Sequence, residues 1–102
     1  MAAAELRNTD ANRAQLLGDL LNTTVVAVVD AGKQQITQAD TRWTLDMSGV
    51  ERVSSAGVAL ILEWLRTAQQ NNIELRIENL PPHMRPILEI SDLEPLFEPL
   101  LA

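Results

Sequence analysis

Within the segment Leu45 to Leu62, LDMSGVERVSSAGVALIL, four small residues, Ser54, Ser55, Ala56 and Gly57, stand where a buried strand turns into a helix. Two hydroxyls and two nearly bare backbones at a helix N-terminus leave N–H donors within reach of another protein or a phosphate. The plainer alternative is structural: serine is a preferred N-cap, and Ser54 or Ser55 need only satisfy an orphan donor, worth about 1 kcal/mol. A phosphate on either hydroxyl would add a charge of about −2 to an acidic surface and act as a repulsive switch. Leu60 and Trp64, four residues apart, form a second apolar stripe that could extend a contact patch around the junction. Core packing is the ordinary fate for Leu60, and Trp64 is open to both.

Catalytic chemistry has little to stand on. The one histidine, His83, lies beside a double proline at a predicted helix start, and no second histidine or cysteine completes a metal set. A surface or capping role fits it. No glycine-rich phosphate loop, nucleophile elbow or zinc-helix pattern occurs. Glu94 with Glu98 reads as a solvated face, not an acid/base couple. The expectation is therefore no enzyme, no catalytic residue, no cofactor and no metal.

A chain of 102 residues fits one domain spanning 1–102, with 46% apolar and 22% charged residues as in ordinary globular proteins. The formal charge of −6 comes with only eight scattered basic residues, which argues against nucleic acid and against direct binding to anionic lipid. With no cysteine there is no disulfide framework, so a reducing compartment is expected. The opening MAAAELRNTD lacks a basic region followed by an apolar run, and no apolar stretch, Val25 to Val29 included, is long enough to span a bilayer. These features predict a cytoplasmic protein.

The elements that must carry the junction are short. Ala14 to Leu20 reads as a short apolar strand with Gly18 marking either a bend or the exit towards a turn. Asn22 to Ile36 is ambiguous: VVAVV favours a strand, whereas Leu21, Val25, Val28 and Val29 fall at helical spacing behind the cap-type residues Asn22, Thr23 and Thr24. Lys33, Gln34 and Gln35 tip it towards helix. Arg42 to Met47 reads as a strand feeding SGVERV, and Ser55 to Gln70 as a helix with the stripe Val58, Ile61, Leu62, Leu65 and Ala68. Ile73 to Glu78 alternates, with Ile73, Leu75 and Ile77 on one face, and predicts a strand with one wet side. Asn79 to Pro82 turns into a helix near His83 to Ile90, and Ser91 and Asp92 would cap a last turn containing Leu93, Leu96 and Phe97. The order is strand, helix, strand, helix, strand, helix: an α/β domain whose mixed sheet is covered by helices mainly on one side.

At these residues the chain resembles a STAS domain, the module of anti-sigma-factor antagonists, sulfate transporters and an ABC lipid-transport subunit. At the places of the family pattern Asp-Leu-Ser-x-Val-x-x-Ile-Asp-Ser-x-Gly-Leu stand Asp46, Met47, Ser48, Val50, Val53, Ser54, Ser55, Gly57 and Val58. Leu17 to Leu20 with the helix after it resembles the family's second strand and first helix, which implies a helix for the valine run. Ile73 to Ile77 and Met84 to Phe97 resemble its last strand and closing helices. Within the family, Ser55 to Arg66 is most like the small, MlaB-type subunit of the Mla phospholipid-transport ABC system. That resemblance implies a non-enzymatic subunit, peripheral to the inner membrane through its complex, that binds and supports the transporter's ATPase in maintaining outer-membrane lipid asymmetry. The resemblance turns the Ser55 position towards the ATPase, and with the junction read above the expected partner-binding residues are Ser54, Ser55, Ala56, Gly57, Leu60 and Trp64. The alternative it implies is an anti-sigma-factor antagonist that binds a kinase-like anti-sigma factor and is phosphorylated on Ser55. The family's acidic residue before the hydroxyl is Ser54 here. In kinase-controlled members that carboxylate belongs to the phosphorylation site, whereas docking without phosphorylation needs none, which favours the transporter reading.

Overall fold

The structure, a computed structural model, describes residues 2–101. Four strands, β1 (Glu5–Asp10), β2 (Arg13–Leu20), β3 (Arg42–Val53) and β4 (Glu74–Glu78), form one sheet in the order β1-β2-β3-β4. β1 and β2 are an antiparallel hairpin, and β2, β3 and β4 run parallel. Helix α1 (Val26–Gln38) links β2 to β3, and α2 (Ser55–Gln70) links β3 to β4. Both crossovers step the same way along the sheet. Connections of one hand then place both helices on the same face, which is why the cover is one-sided.

The strands show this in their burial. Ala14, Leu16, Trp43, Leu45, Met47, Leu75 and Ile77 are buried under the helices, while Gln15, Thr44, Asp46, Arg76 and Glu78 between them are only half-buried. On that open face Arg13 pairs with Glu78 across β3, Gln15 Nε2 donates to Ser48 Oγ at 3.4 Å, and Asn79 Nδ2 donates to Asp46 Oδ1 at 2.9 Å. Burial pushes the Asp46 carboxyl up, but hydrogen bonds from Asn79 and Ser48, with the Arg13 charge, hold it below the usual carboxylate range. Glu78 is lowered by its hydrogen bond from Arg13.

Under the helices, Trp64 of α2 meets Trp43 of β3 edge to face, with ring centroids 5.7 Å apart at 87°. Trp64 Nε1 donates to the Val29 carbonyl of α1 at 3.0 Å. Gly32 lets α1 come this close, because a Cβ there would overlap Trp64 Cε2, Cζ2 and Nε1. After β4, a 3₁₀ turn (Pro82–Met84), α3 (Arg85–Ile90), α4 (Glu94–Phe97) and a second 3₁₀ turn (Glu98–Leu100) close the core with Met84, Leu88, Phe97 and Leu100.

Three expectations are corrected. The element order opens with two strands, not one: among the side chains of β1 only Leu6 is apolar, and an edge strand with both sides wet carries no alternation of hydrophobicity. The residues read as caps of α1 build the turn before it instead; α1 starts after Val25 with no side-chain cap, and the Thr24 hydroxyl accepts from Leu21 N at 2.9 Å. Ser91 and Asp92 do not cap α4, whose N-cap is Leu93.

Candidate functional site

β2 and β3 are parallel neighbours, so α1 and α2 both begin at the same end of the sheet, beyond the strands' carboxyl ends. Ser54 N donates to the Leu20 carbonyl at 3.0 Å and ties the β3–α2 junction to the end of β2. Ser54 is the N-cap: its backbone is extended, its Oγ accepts from Ala56 N at 3.2 Å, and its carbonyl accepts from Gly57 N at 3.0 Å. Its hydroxyl is occupied in holding the helix start.

Ser55 is different. It is the first residue of α2, it is exposed, and its hydroxyl enters no hydrogen bond within the described residues. Ala56 is half-buried beside it. The corner therefore presents one unengaged hydroxyl at the positive end of a sixteen-residue helix.

The other three residues assigned to docking face inward. Gly57 is buried, and a Cβ there would sit 3.0 Å from Leu20 Cβ and 3.3 Å from Val53 Cγ1. Its lack of a side chain serves the approach of α2 to β2, not the approach of a partner. Leu60 is 3% exposed and Trp64 fully buried, so both belong to the core. What sequence reasoning missed is Val26, the first residue of α1, which is 75% exposed at the same end of the sheet as Ser55. A signal existed: five consecutive apolar residues, Val25 to Val29, go right round a helix at about 100° per residue, so one had to point outward.

His83 is exposed on the turn before α3, and Glu98 forms an ion pair with Arg85 at 3.0 Å. Among the described residues no three His, Cys, Asp or Glu side chains are grouped to hold a metal, and no helix is long and apolar enough to cross a membrane.

The family model described as "Mlab, STAS domain" matches residues 5–101. The chain belongs to the STAS domain family. No curated protein sequence matches the chain. Among solved structures, this STAS domain is similar to the anti-sigma factor antagonist SpoIIAA in its unphosphorylated form, with a TM-score of 0.68 and 20% identity, covering 98% of this chain and 87% of that one. SpoIIAA in its phosphorylated form, described as a Bacillus cell fate determinant, gives a TM-score of 0.70 and 21% identity over 98% and 89% of the two chains. A STAS domain protein from Planctomyces limnophilus gives 0.66 and 15% over 88% and 81%. These likenesses establish the STAS fold, a mixed sheet with its helices on one side.

Proposed function

We propose that this STAS domain is a non-enzymatic subunit that docks on the ATPase of a phospholipid ABC transporter through the Ser54 to Ala56 corner. The observation that carries the reading is the division of labour between adjacent serines. Ser54 does the capping, so the exposed Ser55 hydroxyl is left without a structural task. The wording of the matching family description supports the transporter class. The subunit acts by contact: Ser55 offers donor and acceptor, half-buried Ala56 allows close approach, and Val26 adds apolar area at the same end of the sheet. Its place is beside the membrane through the complex, with no lipid contact of its own.

The test is Ser55→Glu, whose charge suits the helix N-terminus, in the full chain co-expressed with the cognate ABC ATPase. A long charged side chain at an exposed first-turn position changes stability by about 0.5 kcal/mol or less. Co-purification should be lost while the thermal transition stays in place. Wild-type recovery of the ATPase would remove the corner from the interface. A second reading, an anti-sigma-factor antagonist, is favoured by the same free hydroxyl, which is open to a kinase. Stoichiometric phosphate on Ser55 after incubation with a cognate serine kinase and ATP, read by mass spectrometry, would select that reading.

A further inference from the structure

Among the described residues Asp19 is the only ionisable side chain that is buried, at 3% exposure. Its place in the fold makes it a junction. Asp19 Oδ2 accepts from Ala2 N at 2.9 Å, and Asp19 N donates back to the Ala2 carbonyl at 3.2 Å. Residues 2–4 thereby form a strap along the end of β2. They pass Gly18, whose φ of +89° and close approach to the Ala3 carbonyl leave no room for a Cβ. On the other side of the same residue, the Asp19 carbonyl accepts the Thr24 hydroxyl at 2.6 Å, closing the turn that leads into α1. One residue further, the Leu20 carbonyl holds Ser54 N. Strap, turn and α2 cap are joined across two consecutive residues of β2.

Of the strap's side chains only Ala4 is buried in the core, where the chain enters β1; Ala2 and Ala3 are exposed. A cavity of about 280 Å³, lined by Ala3, Ala4, Thr23, Thr24 and Ala27, opens between the strap and the start of α1. Ahead of Ala4, the two-way hydrogen bonding with Asp19 is what ties Ala2 to the end of β2. A buried carboxylate is tolerated only where such donors meet it, so each side stabilises the other.

We infer that Asp19 is a positioning residue for the docking corner: by clamping residues 2–4 against the end of β2 it fixes the Leu20 carbonyl that holds the α2 cap. The part of this concerning binding rests on the corner being the docking surface; the part concerning order does not. The test is amide hydrogen exchange on the full chain, wild type against Asp19→Ala, Asp19→Asn and Ala2→Pro. Ala2→Pro deletes only the strap N–H and leaves the core untouched. Asp19→Ala and Ala2→Pro should both speed exchange at 21–25 and 54–57 by tenfold or more, with Trp43 to Leu45 still protected, and Asp19→Asn, which keeps an acceptor, should restore protection. Unchanged corner exchange in Ala2→Pro, or acceleration in Asp19→Ala spread evenly over all amides, would overturn the inference. Recovery of the co-expressed ATPase is read on the same variants. A loosened corner with weakened recovery supports both proposals, whereas a loosened corner with full recovery leaves Asp19 its role and removes the corner from the interface.

Discussion

Gly32→Ala tests how the two helices lock together. In an exposed helix the change would stabilise by about 1 kcal/mol, because alanine is the better helix former. Here the new methyl lands on three atoms of the Trp64 ring, well inside the 3.5–4.0 Å that carbon atoms prefer. The ring cannot step aside freely. It is fully buried, edge to face with Trp43 at 5.7 Å, and its Nε1 is bonded to the Val29 carbonyl, one turn before Gly32 on the same helix. Overpacking of this kind costs about 1–3 kcal/mol. Losing the hydrogen bond adds about 1 kcal/mol, and disturbing the aromatic pair about another 1 kcal/mol. Less the helix-propensity gain, a net loss of about 2–4 kcal/mol is expected, a large share of a small domain's stability. Urea unfolding followed by tryptophan fluorescence reads it directly, since Trp43 and Trp64 are the two tryptophans and both lie at the contact. Adding Trp64→Phe should recover part of the loss, with a coupling energy of about 1 kcal/mol or more. If Gly32→Ala is as stable as the wild type, the helices are not held apart by that ring and the reasoning fails.

Two further outcomes follow from the corner and the open face. Ser54→Ala removes the acceptor of Ala56 N and should cost about 1 kcal/mol in urea unfolding, and an unchanged midpoint would show that this hydroxyl does not hold the helix start. Asp46 has a carboxyl lowered in the folded state, so its contribution to stability is full above the ordinary carboxylate range and fades as pH falls through the lowered value. Asp46→Asn should accordingly be less stable at neutral pH and show a shallower loss of stability between about pH 5 and pH 2, read by urea midpoints; an unchanged acid slope would take Asp46 out of the balance.

Much of this fold is legible in the residues, for reasons that can be named. α2 runs from Ser55 to Gln70 as its pattern predicts, because a serine cap opens it and Asn72, at φ +57°, ends it. The alternation of Ile73, Leu75 and Ile77 gives one buried and one wet face of β4, and with it the one-sided cover. β1 was not legible, since ELRNTD pairs through its backbone at an edge and its side chains carry little periodic signal. At the site, the position and exposure of Ser55 agree with the reading, but Gly57, Leu60 and Trp64 do not face a partner. A small residue looks the same in sequence whether it admits a partner or the domain's own strand. Which use applies is decided by Leu20 and Val53, more than thirty and only a few residues away respectively. Trp64 likewise takes its place from Gly32 on another helix, a pairing that no local pattern encodes.

The strands lie side by side in the order in which they are synthesised. Each new strand finds its neighbour already made, so ribosomal emergence and sheet assembly proceed in one direction. Apart from the late bridge between Ile77 and Leu101, no strand waits for a distant one, and the growing sheet adds strands at one edge only while the short, polar β1 keeps the other.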